Sequence, residues 1–484
     1  MVNENNLTSL VKRLIEIVGE RYVVSADEDL LVYEYDGSVD KSIPVVVVLP
    51  GSPEEVSQIV LAGNEFQMPI IARGAGTGLS GGSIARQGGI VIALTRLNRI
   101  LEINEQDRYA IVEPGVVNLD ISSQVASRGL YYAPDPGSQN VCTIGGNIAE
   151  NSGGPHCLAY GVTTNHVLGM EVVLANGEIV WFGGTHRESS GLDLRGITIG
   201  SEGTLAIATK ICVRLLRIPE SVRTLLVSFE SVESASGAVS GIIGAGIVPS
   251  ALEMMDQLCI EAAEEAVGAG YPKGAGAVLL VEIDGLEESV EEESDEIESI
   301  CEEFSPLEIR IASSTSERAS LWSGRKGVLG ALGRLAPNFF LVDGTIPRTK
   351  LVEVLKKIEN ISERSGYKIA NLLHAGDGNL HPSILFDERK PGDTENILAI
   401  GEEILEVCIE AGGVLSGEHG IGTEKQEQMP LMFSEEDLSV MADLKIAFRT
   451  NDSFNPGKIF PTGASCTDVV QAKAIARVGS GAFI

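Results

Sequence analysis

Four glycine-rich stretches within residues 73–205 constrain this chain more than any other feature of it. They read RGAGTGLSGG (Arg73–Gly82), PDPGS (Pro134–Ser138), TIGGNIAENSGG (Thr143–Gly154) and GSEGTL (Gly200–Leu205). Glycine makes up 55 of 484 residues, about 11% against a usual value of about 7%. Gly76, Gly78 and Gly81 satisfy G-x-G-x-x-G, but a dinucleotide loop of that kind opens directly into a helix. Here Gly81-Gly82-Ser83 runs on to Gly88-Gly89 and a further β-type run. A glycine run without a helix suits another use: successive amides can fold around an anion, and glycine permits the dihedrals and the close approach. A diphosphate is the natural guest. A flexible linker is the alternative, and the strands that bracket the run tightly argue against it.

The rest of the first half reads as β-α-β. Residues 7–18 carry Leu7, Leu10, Val11, Leu14, Ile15 and Val18 at helical spacing. Ile43–Leu49 is a β-branched strand, Pro53 opens a helix to about Glu65, and Pro69–Ala72 is a second strand. Further strands are expected at Gly89–Leu94, Ala110–Glu113 and Met170–Leu174, with a helix at Asn118–Ser127. The character changes at Ile218-Pro219-Glu220. Strands at Leu225–Phe229 and Ala277–Ile283 and a helix at Ser231–Gly244 make residues 219–412 an α+β region of antiparallel strands with helices on one side. Glu287–Glu303 holds ten acids in seventeen positions. Its stripe of Leu286, Val290, Ile297, Ile300, Cys301 and Phe304 makes those acids the solvated face of a helix rather than a binding tract. A capped helix is expected at Ser434–Thr450, then a polar tail after Pro461.

Composition excludes several classes. With 36 basic and 68 acidic residues the formal charge is −32, a surface that repels nucleic acid and anionic lipid. No two of the seven cysteines form a C-x-x-C pair, so iron–sulfur and zinc-ribbon ligand sets are missing and buried thiols in a reducing compartment are expected. The charged N-terminus does not read as a signal peptide, and no apolar run approaches the 18 or so residues of a membrane span. The expected location is cytoplasmic, any membrane association coming through partner subunits.

Three of six histidines fall in two short segments, HAGDGNLH (His374, His381) and SGEHGIG (His419). Ile369–Leu373 and Ser383–Phe386 look like strands, and Gly376-Asp377-Gly378-Asn379 is turn material. Such a hairpin brings its flanking histidines within side-chain reach. Glu418 from the second loop would complete a two-histidine, one-carboxylate metal site. Spacing alone leaves a second reading open, that of unrelated surface histidines.

The order of RGAGTGLSGG, PDPGSQ, TIGGNIAENSGG, Tyr160-Gly161 and GSEGTLAI, continued by LEMMD, DGTIP, HAGDGNLH, SGEHGIG and NPGK, resembles FAD-linked flavoproteins of the vanillyl-alcohol-oxidase type. Within that type it is most similar to the FAD subunits of bacterial glycolate dehydrogenases, with the D-lactate dehydrogenases next, over about residues 20–461. The resemblance implies an α+β fold with a two-part FAD-binding domain (1–218), an antiparallel-sheet cap holding substrate and metal (219–425), and a C-terminal helical segment returning to the FAD domain (426–484). It implies FAD held by Arg73, Gly74, Ala75, Gly76, Thr77, Gly78, Ser80, Pro134, Asp135, Ser138, Thr143, Gly146, Asn147, Ser152, Gly153, Gly161, Glu202, Gly203, Ile207 and Asn455. Neither Arg73–Gly82 nor Pro134–Gly154 contains a histidine, so non-covalent FAD is expected. A divalent Zn, Mn or Fe would be bound by His374, His381 and Glu418, with His419 as base and Arg325 as receptor for the substrate carboxylate.

The implied reaction is oxidation of a small (R)-2-hydroxy acid, glycolate to glyoxylate first and D-lactate to pyruvate as the alternative, by hydride transfer to flavin N5. Relatives acting on 2-hydroxyglutarate carry a lysine where this chain has Phe339–Val342, so a small, apolar pocket is expected. Two other classes stand beside this: a non-catalytic FAD-binding subunit of an electron-transfer complex, and a metal hydrolase with glycine loops. The family also implies partners, a second FAD-type subunit and an iron–sulfur subunit as electron acceptor.

Overall fold

The computed structural model describes residues 4–186, 191–450 and 452–462; from residue 463 the expected tail lies outside them. The chain divides into two compact units, one of Met1–Ser152, Val162–Arg217 and Glu418–Ile484, the other of Gly153–Gly161 and Ile218–Gly417.

In the first unit a parallel core follows from the β-branched runs. Strands Val46–Val48, Ile90–Ala93 and Ile70–Arg73 lie side by side in that order. The apolar stripe of helix Glu4–Val18 (Leu10, Leu14, Val18) and that of helix Pro53–Phe66 (Val56, Ile59, Val60) join the same core. The second helix begins where Ser52 accepts the Glu55 amide at 3.2 Å with Pro53 in the first turn, and stops at Gln67, whose φ is +53°. An antiparallel sheet follows, ordered Ile100–Asn104, Tyr109–Val112, Ile207–Arg214, Val167–Val173, Ile179–Gly183. A segment at residues 453–455 bridges the edge of the first sheet: Ile70 donates to the Ser453 carbonyl at 2.8 Å and accepts from the Asn455 amide at 2.7 Å.

The second unit is an antiparallel sheet ordered Glu308–Ile311, Ser221–Phe229, Ala277–Gly285, Ala251–Asp256, Ile369–His374, Asn379–Phe386, Asn338–Leu341. One face (Leu226, Ala251, Met255, Val278, Leu280, Leu372, Leu385) packs against helices Gln257–Val267 and Thr315–Leu332. The alternate positions Leu225, Val227, Leu252, Met254, Leu279 and Val281 are also buried, and helices Val232–Gly244 and Glu287–Glu302 lie against the same strands. Helices therefore cover both faces, which corrects the one-sided expectation. Runs such as AVLLVEI show no alternation because both faces are dry. The acidic helix is solvated as expected, with Val290, Ile297 and Cys301 buried; Leu286 sits before its first turn and is 66% exposed. Among the described residues no helix is long and apolar enough to cross a membrane.

Candidate active site

In the first unit the loop after strand Ile70–Arg73 contains no helix, and the next strand is Ile90–Ala93. The amides of Ala75, Gly76, Thr77 and Gly78 donate no hydrogen bond among the described residues, although the loop is half-buried. Buried amides are nearly always paired, so this run is suited to an anion. A Cβ on Gly74 would strike Thr143 Oγ1; that hydroxyl and Ser80 Oγ are buried without a hydrogen-bond partner among the described residues. Unpaired amides and orphaned hydroxyls, beside a Gly74 that leaves no room for a Cβ, fit a pyrophosphate. Arg73 is buried, and its Nη1 donates to Ser83 Oγ at 3.1 Å. Burial lowers its pKa, opposed by the nearby Asp36 charge.

The other glycine stretches are tied to this one and among themselves. Thr143 precedes the short helix Ile144–Glu150, which contains Gly146 and Asn147. Asn147 accepts from Asn118 at 3.0 Å and donates to Ser152 Oγ at 3.3 Å. Asn455 donates to the carbonyls of Gly82 and Glu202, each at 2.7 Å, stitching the first loop to the last. Gly203 lies beside Glu202 in that last loop, and Ile207 starts the strand that follows it. Pro134 and Asp135 are buried and lead into a turn ahead of Thr143, where the half-buried Ser138 offers its carbonyl to the Val141 and Cys142 amides. Gly153 and Gly161 belong to the second unit.

Glu202 does something the sequence did not suggest. Its two carboxylate oxygens accept the amides of Ile421 and Gly422, both at 2.7 Å, and so fix the turn that carries His419. Glu150 lies beside it: a Cβ on Gly420, whose φ is +88°, would strike Glu150 Oε2. Burial and the Glu202 charge push the Glu150 carboxyl well above the usual range. Burial raises Glu202 as well, against the pull of the two amides. Lys458, which donates to the Ile84 carbonyl at 2.8 Å, is lowered by burial to about 8. His419 Nε2 is 3.9 Å from Glu418 Oε1, and both side chains are 13% exposed.

In the second unit the hairpin forms as the turn residues require. His374 pairs with Asn379 and Leu372 with His381, a diagonal relation that puts both imidazoles on one face. Their rings meet edge-on with centroids 5.0 Å apart. Glu253 lies directly across from His374 on the neighbouring strand; its oxygens are 2.8 and 2.9 Å from His374 Nδ1. The same carboxylate pairs with Arg325 Nη2, while Arg325 Nε is buried without a hydrogen-bond partner among the described residues. With Nδ1 engaged by a carboxylate, His374 presents its Nε2 lone pair, which is the donor a divalent metal takes. Asp343 of the DGTIP motif accepts Ser416 Oγ at 2.7 Å and the Gly417 amide at 3.0 Å. It thereby holds the chain one residue before Glu418.

Two features of this face carried little signal in sequence. Helix Thr315–Leu332 lays Arg318, Trp322 and Arg325 across the sheet at helical spacing. Arg318 and Trp322 both donate to Glu282, as does Thr224 Oγ1 at 2.7 Å, and His156 Nε2 lies 3.1 Å from it. His156 also stacks on Trp322 at 5.4 Å. Glu253 and Glu282 each interrupt an apolar strand (ALEMM, LLVEI), and a lone acid in a buried strand is a signal for an obligatory partner.

Comparison with known proteins gives this geometry its context. Residues 44–183 match the FAD binding domain family and residues 218–459 the C-terminal domain of FAD linked oxidases. The chain is 44% identical to the glycolate oxidase subunit GlcD of Escherichia coli K12, over 95% of its own length and 93% of that protein's. It is 32% identical to a D-lactate dehydrogenase of Anaerostipes hadrus, covering 93% and 97%. Among solved structures, p-cresol methylhydroxylase shares the fold with a TM-score of 0.80 at 16% identity, over 96% of this chain and 99% of that one. The chain belongs to the FAD-linked oxidases, as an FAD-dependent oxidoreductase of the branch that contains glycolate oxidase subunits and D-lactate dehydrogenases.

Proposed function

We propose that this protein oxidises a small (R)-2-hydroxy acid, glycolate to glyoxylate first and D-lactate to pyruvate as the alternative, using non-covalent FAD and a divalent metal. The observation that carries the reading is the histidine pair, with His374 held through Nδ1 by Glu253, which also holds Arg325. Bound FAD would supply the hydride acceptor. A Zn, Mn or Fe ion on His374, His381 and Glu418 would supply Lewis acidity for the substrate hydroxyl.

The chain's own residues supply the remainder. His419 takes the hydroxyl proton, a task matched to an imidazole near neutral pH. Arg325 receives the substrate carboxylate, for which its Nε, without a hydrogen-bond partner among the described residues, is suited. Phe339–Val342 leaves a pocket lined for a short, apolar tail. The residues named above for FAD would hold it through the amides of 75–78 and the hydroxyls of Ser80 and Thr143. In this reading residues 1–218 and 426–484 serve FAD, and 219–425 serve substrate and metal. Electrons then leave to a second FAD-type subunit and an iron–sulfur subunit, a reading supported by the subunit status of the Escherichia coli relative.

The test is anaerobic titration of the flavin band with glycolate, D-lactate and L-lactate in turn. Bleaching by glycolate or D-lactate, but not L-lactate, is expected, with loss of bleaching after chelation and in His381→Ala. A yellow protein that no 2-hydroxy acid bleaches would overturn the assignment.

A further inference from the structure

Glu253 is buried to 1% of its side-chain surface between Leu252 and Met254, a place where an unpaired carboxylate costs several kcal/mol. Nothing in the reaction above uses it. Two of its partners, however, belong to the proposed site: His374 directly across the strand pair and Arg325 on the helix above. We propose that Glu253 is a positioning residue that sets the metal ligand and the carboxylate receptor with one side chain, fixing the tautomer of His374 and tethering Arg325. The proposal rests on the reading of His374 as a ligand and Arg325 as the receptor.

A carboxylate can only accept, so the hydrogen of His374 resides on Nδ1 and the Nε2 lone pair is committed to whatever lies beyond it. The negative charge also makes that lone pair a stronger donor. Arg325 Nη2 pairs with one of those two oxygens, Oε2, so the distance between ligand and receptor is set through a single carboxylate on the central part of the sheet. A chelating 2-hydroxy acid needs its hydroxyl and its carboxylate met together, which is what such a linkage provides. Glu282, two positions along the same sheet face, is the natural contrast. It holds Arg318, Trp322, Thr224 and His156 but neither His374 nor Arg325.

The experiment uses metal-depleted holoenzyme titrated with Mn²⁺ alone, free Mn²⁺ being read by electron paramagnetic resonance. Glu253→Gln keeps the reach and removes the charge; Glu253→Asp keeps the charge and retracts it from His374, which covers the case in which the first variant fails to fold. Each variant should retain bound FAD and lose roughly 10- to 100-fold in Mn²⁺ affinity, the usual effect of losing an outer carboxylate. Glu253→Gln should also raise KM for the 2-hydroxy acid more than it lowers kcat. Glu282→Gln should leave Mn²⁺ affinity unchanged whatever it does to stability. Wild-type protein that binds Mn²⁺ while both Glu253 variants bind it equally well would overturn this proposal alone. Wild-type protein that binds no Mn²⁺ would overturn the reading of His374 as a ligand, and the proposal with it.

Discussion

Each unit encloses a glutamate carboxyl, and the two acids meet opposite fates. In the second unit burial works to raise Glu282, but the hydrogen bonds and charges of Arg318 and His156 outweigh it and hold the carboxyl well below the usual range. In the first unit Glu150 is half-buried, with its Oε2 enclosed next to another acid. Burial and the Glu202 charge both raise it, and the nearby Lys458 and Lys425 do not restore the balance. Enclosure is common to both, so it does not decide the direction of the shift; the groups within reach do. One acid is an anion held in an ion-pair hub. The other, its carboxyl pushed upward, lies close to the turn that carries His419.

The sharpest way to break this comparison is Glu282→Ala, which leaves Arg318, Trp322 and Thr224 without their acceptor. Breaking a buried pair costs about 3–5 kcal/mol, and because the Arg318 side chain is 37% exposed the low end, about 3 kcal/mol, is expected in urea unfolding. A loss below about 1 kcal/mol would mean the hub is held by packing. Next comes Gly420→Ala. It forces a Cβ into Glu150 at a φ of +88°, and about 2 kcal/mol should be lost. The rate of flavin reduction by glycolate should fall as the His419 turn shifts.

Third is Glu150→Gln, whose sign is the reverse. A carboxyl raised in the folded protein stabilises it below the unfolded value near 4.5, and that contribution is lost as pH rises toward the folded value. The amide removes that loss. The variant should therefore gain about 1 kcal/mol at pH 8 and little at pH 4, read as melting temperature at the two pH values. Glu282 contributes in the opposite window, losing its stabilisation as pH falls below about 4.5. Last, Glu403→Ala removes an exposed pair with Arg364, whose side chains are 39% and 66% exposed. It should change stability by less than about 0.5 kcal/mol, which sets the floor for reading the other three.

What could be read from sequence was what is local. The helix Pro53–Phe66, the acidic helix and the histidine hairpin all appear within a few residues of their expected limits. The exclusion of a dinucleotide loop at Arg73–Gly82 also stands, because the missing helix is a property of adjacent residues. What escaped was long-range. Glu202 meets Ile421 across 219 positions and Glu253 meets His374 across 121, and no periodicity announces such pairs. LEMMD and DGTIP were visible as motifs, yet the tasks of Glu253 and Asp343 depend on strand register and on which loop returns to them. The two-sided burial of the large sheet escaped for a related reason: continuous apolar runs tell that both faces are covered only once the strands are known to be antiparallel neighbours.

The bridge from Ile70 to residues 453–455 forms late in synthesis. Ile70 is bridged by Ser453 and Asn455, and Asn455 closes two glycine loops made hundreds of residues earlier. A nascent chain emerging from the ribosome has Ile218–Gly417 in hand before the first unit has its closing segment. The second unit can therefore mature while the first waits with an open sheet edge and unstitched loops, a state exposed to wrong partners. A chain stopped at residue 450 would stay in that state, because the contacts of Ser453 and Asn455 would never form.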